Sequence, residues 1–325
     1  MKSFRTIVPP YRAPFQLTHA DPLLLVGSCF TEHIGKRLVE GKFQTLVNPN
    51  GIVYNPVSIA VTTNLRFVEK LAVQKRTGGS FYHWDYHGSF SHPDEATFRK
   101  NIERARQTTA AFLEKTNYLF LTLGTAQVFM LKETGQIVAN NHKAPADWFE
   151  ERRLSVAETV NTLAKAIEAL RAKRPAVQVV LSVSPVRHMR NGFVENQRSK
   201  AVLLLACADL CAQFDFVHYF PAYEVLLDEL RDYRFYADDM VHPSASAVEY
   251  IWEYFAAAFL APETRNLLTQ LDKIRVATEH RPLHPDTTEH QTFARQQLAA
   301  IEQLKSKYPL LDFSKEIAWF AQFCS

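Results

Sequence analysis

The chain has 325 residues, of which 47% are hydrophobic and 22% charged, and its formal net charge is +3. This is an ordinary globular composition, long enough for one large α/β domain with an appendage. A charge so close to balance, with no block of Lys and Arg, argues against nucleic acid as a partner. No apolar run reaches the length of a membrane span, so no membrane association is expected either.

The opening Met1-Lys2-Ser3-Phe4-Arg5-Thr6 has no apolar stretch behind it, and Pro9, Pro10 and Pro14 break up the next residues, so no signal peptide is expected. The four cysteines, Cys29, Cys207, Cys211 and Cys324, do not have the spacing of a disulfide framework. Free thiols and a cytoplasmic setting of bacterial type are expected.

Residues 1–20 read as an extended, proline-rich lead-in. Leu23-Leu24-Leu25-Val26 then runs into Gly27-Ser28, and an amphipathic stretch covers 31–40. That pattern predicts a buried strand, a tight turn and a helix. Residues 44–47 form a second short strand, ended by the turn-rich Asn48-Pro49-Asn50-Gly51. Helical periodicity covers 56–70. Residues 81–92 carry His83, His87 and His92 among aromatic side chains. They are expected to wall a pocket; metal is the lesser alternative, because no fourth ligand stands out.

A helix is predicted over 94–114, a buried strand over 118–123, a hairpin over 128–138 and a helix over 154–172. A second strongly apolar strand covers 177–183. A helix over 195–214, a short strand over 216–220, a helical stretch over 221–230, a loop over 238–243 and a helix over 244–260 complete the pattern. Strands alternating with helices predict a mostly parallel sheet covered on both faces. From 262 onward there is helix without strand. The expected division is an α/β domain over 1–260 and a helical appendage over 261–325, available for packing on the main domain or for a homodimer.

The strand–turn–helix at Gly27-Ser28 puts a serine where open α/β sheets bind ligands, beside helix N–H groups that hold anions. The plainer reading makes Ser28 a helix cap. Downstream, Asp239 and His242 are three residues apart in a loop. A carboxylate so placed can hold one imidazole nitrogen and leave the other for a nucleophile, giving the order Ser…Asp…His. Cys29 is a rival nucleophile by chemistry, but neighbours at a helix start point about 100° apart, and it is expected to pack inward.

Gly27-Ser28-Cys29-Phe30 together with Asp239-Met240-Val241-His242-Pro243-Ser244 resembles the GSCFA family, which is placed with the SGNH (GDSL-like) hydrolases. Further blocks resemble it at Asn48 to Pro56, Gly124-Thr125-Ala126, Ser182-Val183-Ser184-Pro185-Val186-Arg187-His188, Asn196-Gln197-Arg198-Ser199-Lys200 and Asp232-Tyr233-Arg234-Phe235-Tyr236. The resemblance spans roughly 20–260. It implies a three-layer α/β/α sandwich with a flavodoxin-like sheet, Ser28 as nucleophile, His242 as general base and Asp239 as its orienting carboxylate. The fourth family residue after Gly is Ala, where this chain has Thr31.

The same resemblance implies an oxyanion hole in which Gly51 gives the second N–H. The third block has no Asn, so Thr125, Gln127 or Asn55 is expected to supply the last donor. Arg187, His188, Asn196 and Lys200 lie at or beyond a strand's carboxyl end. They either bind substrate or tie the loop to the sheet, and His87 belongs to the expected pocket wall. Asn141-His142-Lys143 is a weaker set of the same kind. The expected function is a serine-dependent acyl-ester hydrolase or O-acyltransferase acting on a small or carbohydrate-linked ester, with no metal and no organic cofactor. The alternative is a binding module that keeps the pocket without turnover.

Overall fold

The computed structural model describes residues 6–64, 73–76 and 79–324. In chain order, Leu23–Gly27 (β1), Cys29–Glu40 (α1), Thr45–Val47 (β2) and Pro56–Asn64 (α2) come first. The predicted helix beyond residue 64 lies outside the described residues. Gln74–Lys75 (β3) and Phe81–Tyr82 (β4) pair as a short antiparallel ladder ahead of Glu95–Leu113 (α3). Tyr118–Leu123 (β5) is followed by Gln127–Leu131 (β6), Ile137–Val138 (β7) and Phe149–Arg153 (β8). Val156–Lys173 (α4), Gln178–Val183 (β9), Gly192–Gln213 (α5) and Val217–Tyr219 (β10) complete the sheet region. Ala222–Glu224 (α6) leads into a π-helical Val225–Leu230, and Ala245–Phe259 (α7) closes the α/β part.

Among the described residues the central sheet has the order β10-β9-β5-β1-β2, parallel throughout. With its strands counted along the chain this is 2-1-3-4-5, the flavodoxin-like order the family resemblance implies. The pleat sends alternate residues to opposite faces. Leu24, Val26, Leu119, Leu121, Val179 and Leu181 pack with Ile59, Leu163 and Leu203 of α2, α4 and α5. Leu23, Leu25, Phe120 and Val180 pack with Ile34 and Leu38 of α1 and with Ile251 and Phe255 of α7. Every β1 residue is buried, as a parallel strand covered on both faces requires.

Two features depart from the sequence pattern. β8, Phe-Glu-Glu-Arg-Arg, reads as neither strand nor helix, yet it pairs antiparallel with β6 in a sheet ordered β7-β6-β8. It has one core residue, Phe149, and its charged side chains lie outward, so no alternation of apolar positions announces it. The stretch 221–230 is helical as expected, but most of it is wound as a π-helix.

Pro262–Glu279 (α8), Thr288–Lys307 (α9) and Ser314–Ala321 (α10) form the helical appendage. They share a core of their own around Leu267, Leu271, Ile301, Phe313 and Phe320. Lys42, just after α1, fastens them to the sheet domain: its Nζ donates to Asp312 O at 2.6 Å and pairs with Glu316 at 2.8 Å.

The end of β1 is crowded. Gly27 N–H donates to Asn48 Oδ1 at 2.8 Å, and Val53 N–H donates to Gly27 O at 3.1 Å, so the loop after β2 is pinned under the strand's tip. A Cβ on Gly27 would overlap Thr122 O and stand 2.8 Å from Thr31 Oγ1. Gly27→Ala is therefore expected to destabilise the fold by about 1–3 kcal/mol through overpacking. The midpoint of urea unfolding measures it; an unchanged midpoint would show that the strand tip has room to move.

Candidate active site

Ser28 occupies the N-cap position of α1 with an extended backbone, φ −67° and ψ 176°, but its hydroxyl caps nothing. Its N–H still bonds across the sheet to Thr122 O at 3.2 Å, one residue past the end of β1. The residue is 0% exposed, and Oγ has no hydrogen-bond partner. Cys29, the first helical residue, is half-buried and lines the cavity that His242 also lines. The expected arrangement, with Ser28 facing the site and Cys29 packed inward, is thus reversed. The helix begins at Cys29, two residues ahead of the amphipathic stretch expected over 31–40, and of the two neighbours it is Cys29 that lines the cavity.

The first N–H groups of a helix lack intrahelical partners. Cys29 is the first residue of α1, so its side chain belongs to the turn that carries these groups. Burial pushes the thiol above its ordinary range and Glu32 adds to this, while the Cys29 and Phe30 N–H groups and the Lys200 ammonium pull it back. A protonated thiol in such a place needs a base.

His242 is held by Asp239. The ring donates from Nδ1 to Asp239 Oδ2 at 2.6 Å, and Asp239 Oδ1 accepts from the backbone N–H groups of Val241 and His242, each at 2.9 Å. The His242 N–H, then its ring, then the Val241 N–H hold the Asp239 carboxyl down at about 2. This leaves Nε2 as the ring nitrogen not taken by Asp239, on a side chain that lines the cavity. Met240, between them, takes the left-handed conformation with φ 58°. Arg187 ties the loop to the sheet. Its N–H donates to Val241 O at 3.1 Å, its guanidinium donates to Met240 O at 3.3 Å, and the same group stacks 3.9 Å over the Tyr236 ring.

The cavity has a volume of about 540 Å³. Ile52, Tyr54 and Asn55 come from the loop after β2, Thr125 and Gln127 from the end of β5 and the start of β6, and 186–191 from the loop after β9. Its walls are mainly apolar, through Val128, Phe129, Val138, Val186 and Met189, as in most small-molecule sites.

The oxyanion donors inferred from sequence are spent elsewhere. Gly51 N–H donates to Asn48 O at 2.7 Å, and His87 fills the space beside it; neither lines the cavity. Asn55 caps α2 by accepting from Ser58 N–H at 2.9 Å, and its amide donates to Val138 O at 3.4 Å. Thr125 Oγ1 shares a hydrogen bond with Ser199 at 3.0 Å and accepts from Gln127 N–H. Gln127 Nε2 lies on the wall but donates to Glu195 at 3.4 Å. The donors closest in sequence to Cys29 are the first-turn N–H groups of α1, which favour the charged form of its thiol.

His188 lines the cavity with Nε2 unpartnered, and burial, with help from Lys200 and His242, pushes it down to about 3, so its ring is neutral. Asn196 lies behind the wall and accepts from His188 N–H at 2.8 Å; it positions the loop. The segment 81–92 walls no part of the cavity. Tyr82 packs on Trp84 and His142, Trp84 on Phe149 and His83 on Tyr86, with His142 donating from Nε2 to His83 O at 2.9 Å. Among the described residues no group of three or more His, Cys, Asp or Glu is placed to hold a metal ion. Asn141 lines the cavity, while its neighbour His142 turns away. Tyr54 and Val241 line it too; both lie inside the family blocks at 48–56 and 239–244, with no role expected of them.

A family model described as the GSCFA family matches residues 22–255, and one described as the GSCFA domain protein, C-terminal domain, matches residues 271–324. Among solved structures, the chain is similar to a carbohydrate esterase family 3 from Talaromyces cellulolyticus, at 12% identity over 77% of this chain and 98% of that one, with a TM-score of 0.36. It is similar to a serine-to-alanine mutant of an acetyl esterase with acetate ion, at 11% identity over 77% and 99% of the two chains and a TM-score of 0.36. It is also similar to an acetyl xylan esterase from the rumen bacterium Butyrivibrio proteoclasticus, at 11% identity over 74% and 64% and a TM-score of 0.37. None of the curated proteins compared with the chain matches it.

The Asp239–His242 pair is open to a direct test. Asp239→Asn is expected to lower kcat on an activated ester about 10³- to 10⁴-fold, because the ring loses its tautomer and its orientation. Asp238→Asn, whose side chain has no part in the pair, should be mild. Since the Asp239 pKa is depressed, the stability it lends the loop is complete above about pH 4, the ordinary carboxylate range, and is lost as pH falls through about 2. Equal losses of kcat in the two variants would show that Asp239 does not orient the base.

Proposed function

The chain belongs to the GSCFA family, and from that premise we propose that it is an acyl-ester hydrolase or O-acyltransferase working through a covalent acyl-enzyme. Cys29 is the nucleophile, His242 the general base and Asp239 the carboxylate that orients it. The substrate class is a small or carbohydrate-linked ester. The observation that carries this reading is that one cavity is lined both by Cys29, at the N-terminus of α1, and by His242, an imidazole held by a carboxylate on its far nitrogen.

His242 Nε2 takes the thiol proton as the sulfur attacks the ester carbonyl. The oxyanion that forms lies at the N-terminus of α1, where the Cys29 and Phe30 N–H groups donate to it. Collapse breaks the C–O bond, and imidazolium returns the proton to the departing alcohol. The thioester acyl-enzyme is then attacked by water or an acceptor hydroxyl, deprotonated by His242, and the thiol is regenerated. The His242 ring makes its one hydrogen bond to Asp239 among the described residues. Bonds of this kind to the nucleophile commonly tighten only with substrate in place.

A second reading, a ligand-binding module without turnover, draws support from the commitment of Gly51, Asn55 and Thr125 to structural hydrogen bonds, which removes donors a hydrolase would use. Single substitutions separate the readings. Cys29→Ala is expected to abolish hydrolysis of p-nitrophenyl acetate. Ser28→Ala should retain most of it and should not lower stability, since it removes a buried hydroxyl that has no partner. The reverse pattern would restore serine as nucleophile. No turnover by the wild-type protein on a panel of acetyl to octanoyl esters and acceptor alcohols would favour the binding module.

A further inference from the structure

Four side chains that line the cavity carry amides with only one end in use. Gln127, at the start of β6, donates from Nε2 to Glu195 at 3.4 Å. Asn191, in the 3₁₀ turn Met189–Asn191 after β9, donates from Nδ2 to Glu151 at 3.1 Å. Asn140 and Asn141, after β7, are held the other way round. Their Oδ1 atoms accept from the N–H groups of His142 at 2.7 Å and Lys143 at 3.2 Å. These partners fix which end is which, because a carboxylate accepts and a backbone N–H donates. The four leave over two carbonyl oxygens and two NH₂ groups, none with a partner among the described residues. Asn55, the other amide on the wall, is used at both ends.

The charges on the same wall are spent. Val138, Phe129 and Glu151 stand side by side across β7, β6 and β8, and Gln127, two residues from Phe129, shares their face, so the small sheet presents one side of the cavity. Glu151 accepts from the Arg190 guanidinium at 2.6 Å on one oxygen and from Asn191 on the other, and Arg190 lies 4.5 Å over the Phe129 ring. The Arg187 guanidinium is turned to Met240 O and the Tyr236 ring, two residues that do not line the cavity.

We propose that Gln127, Asn140, Asn141 and Asn191 are the alcohol subsite of the cavity, and that the alcohol half of the substrate is a neutral saccharide. The inference rests on the acyl-transfer reading above and narrows it. A hydroxyl both donates and accepts, whereas a phosphate or carboxylate only accepts and an ammonium only donates. A neutral set of two donors and two acceptors therefore suits a ligand with several hydroxyls. The amides arrive from three elements around a cavity of about 540 Å³, which fits a sugar ring better than a short polyol. A phosphate-bearing acyl carrier would meet no guanidinium or ammonium left over for it, and that contact is what makes such ligands bind.

Binding of the alcohol half alone tests this without turnover. Ligand-observed NMR titrations of the wild-type protein use the methyl β-glycosides of glucose, galactose and xylose, with glycerol and glucose 6-phosphate for comparison. Saturable binding of at least one glycoside is expected, with glycerol and glucose 6-phosphate about tenfold weaker, since each forfeits more than one hydrogen bond. Asn141→Asp keeps the acceptor that the Lys143 N–H uses and puts an oxygen in place of the NH₂ group left over. Gln127→Met keeps the length of the side chain and removes the carbonyl left over. Each is expected to weaken the glycoside about fivefold, the worth of one hydrogen bond. Equal affinity for glycerol or glucose 6-phosphate in the wild type overturns the proposal, and so does undiminished glycoside binding in both folded variants. A glycoside that binds while no ester is turned over leaves the subsite standing and sinks the acyl-transfer reading. Turnover of p-nitrophenyl acetate with no glycoside bound sinks the subsite alone.

Discussion

The candidate site depends on how tightly the tip of β1 is held. Gly27 has no room for a side chain, Asn48 and Val53 grip its backbone from one side, and the Ser28 N–H is still bonded to Thr122 O of β5. The chain cannot turn into the helix until after Ser28. Ser28 is therefore buried as the N-cap between strand and helix, and Cys29 opens the helix with its side chain on the cavity. A turn one residue earlier would exchange the two side chains and place a hydroxyl in the cavity. Nucleophile identity is, in this view, a consequence of strand packing and not of which of the two residues is the better known nucleophile.

Around that fixed point, loops from four strand ends converge, as the switch point of an open α/β sheet allows. Arg187 carries much of the organisation. Its backbone and guanidinium hold the Asp239–His242 loop, and the loop in turn presents one face of an imidazole whose other face is committed. The tail helices fasten through Lys42 at the opposite end of α1, away from its N-terminus. The helix that presents the sulfur is thus anchored at both ends.

Much of this organisation is legible in the sequence. The apolar runs at 23–26, 118–123 and 177–183 are buried on both faces, so composition alone marks them as central parallel strands. Asp239-x-x-His242 declares its pairing because a three-residue spacing in a loop suits a carboxylate–imidazole bond, and that bond is present. Sequence pattern fails where tertiary pairing decides. The β8 strand has a charged sequence because its outer face is solvated. The aromatic 81–92 segment has the composition of a pocket wall, but its rings find partners in one another and in Phe149. Gly51, Asn55 and Thr125 are donors by position in a motif, whereas the backbone around them claims their hydrogen bonds first. Ser28 and Cys29 differ by one residue, and only the register of β1 against β5 tells them apart.

The residue that carries the acyl group in the covalent intermediate decides between the two nucleophiles outright. Rapid mixing of the protein with an activated acetyl ester, acid quenching and peptide mass spectrometry would locate the acetyl group. A burst of acetylation on Cys29, cleaved by neutral hydroxylamine as a thioester is, is the expected result. An acetyl group on Ser28, or turnover with no covalent acetyl-enzyme, would contradict the cysteine mechanism.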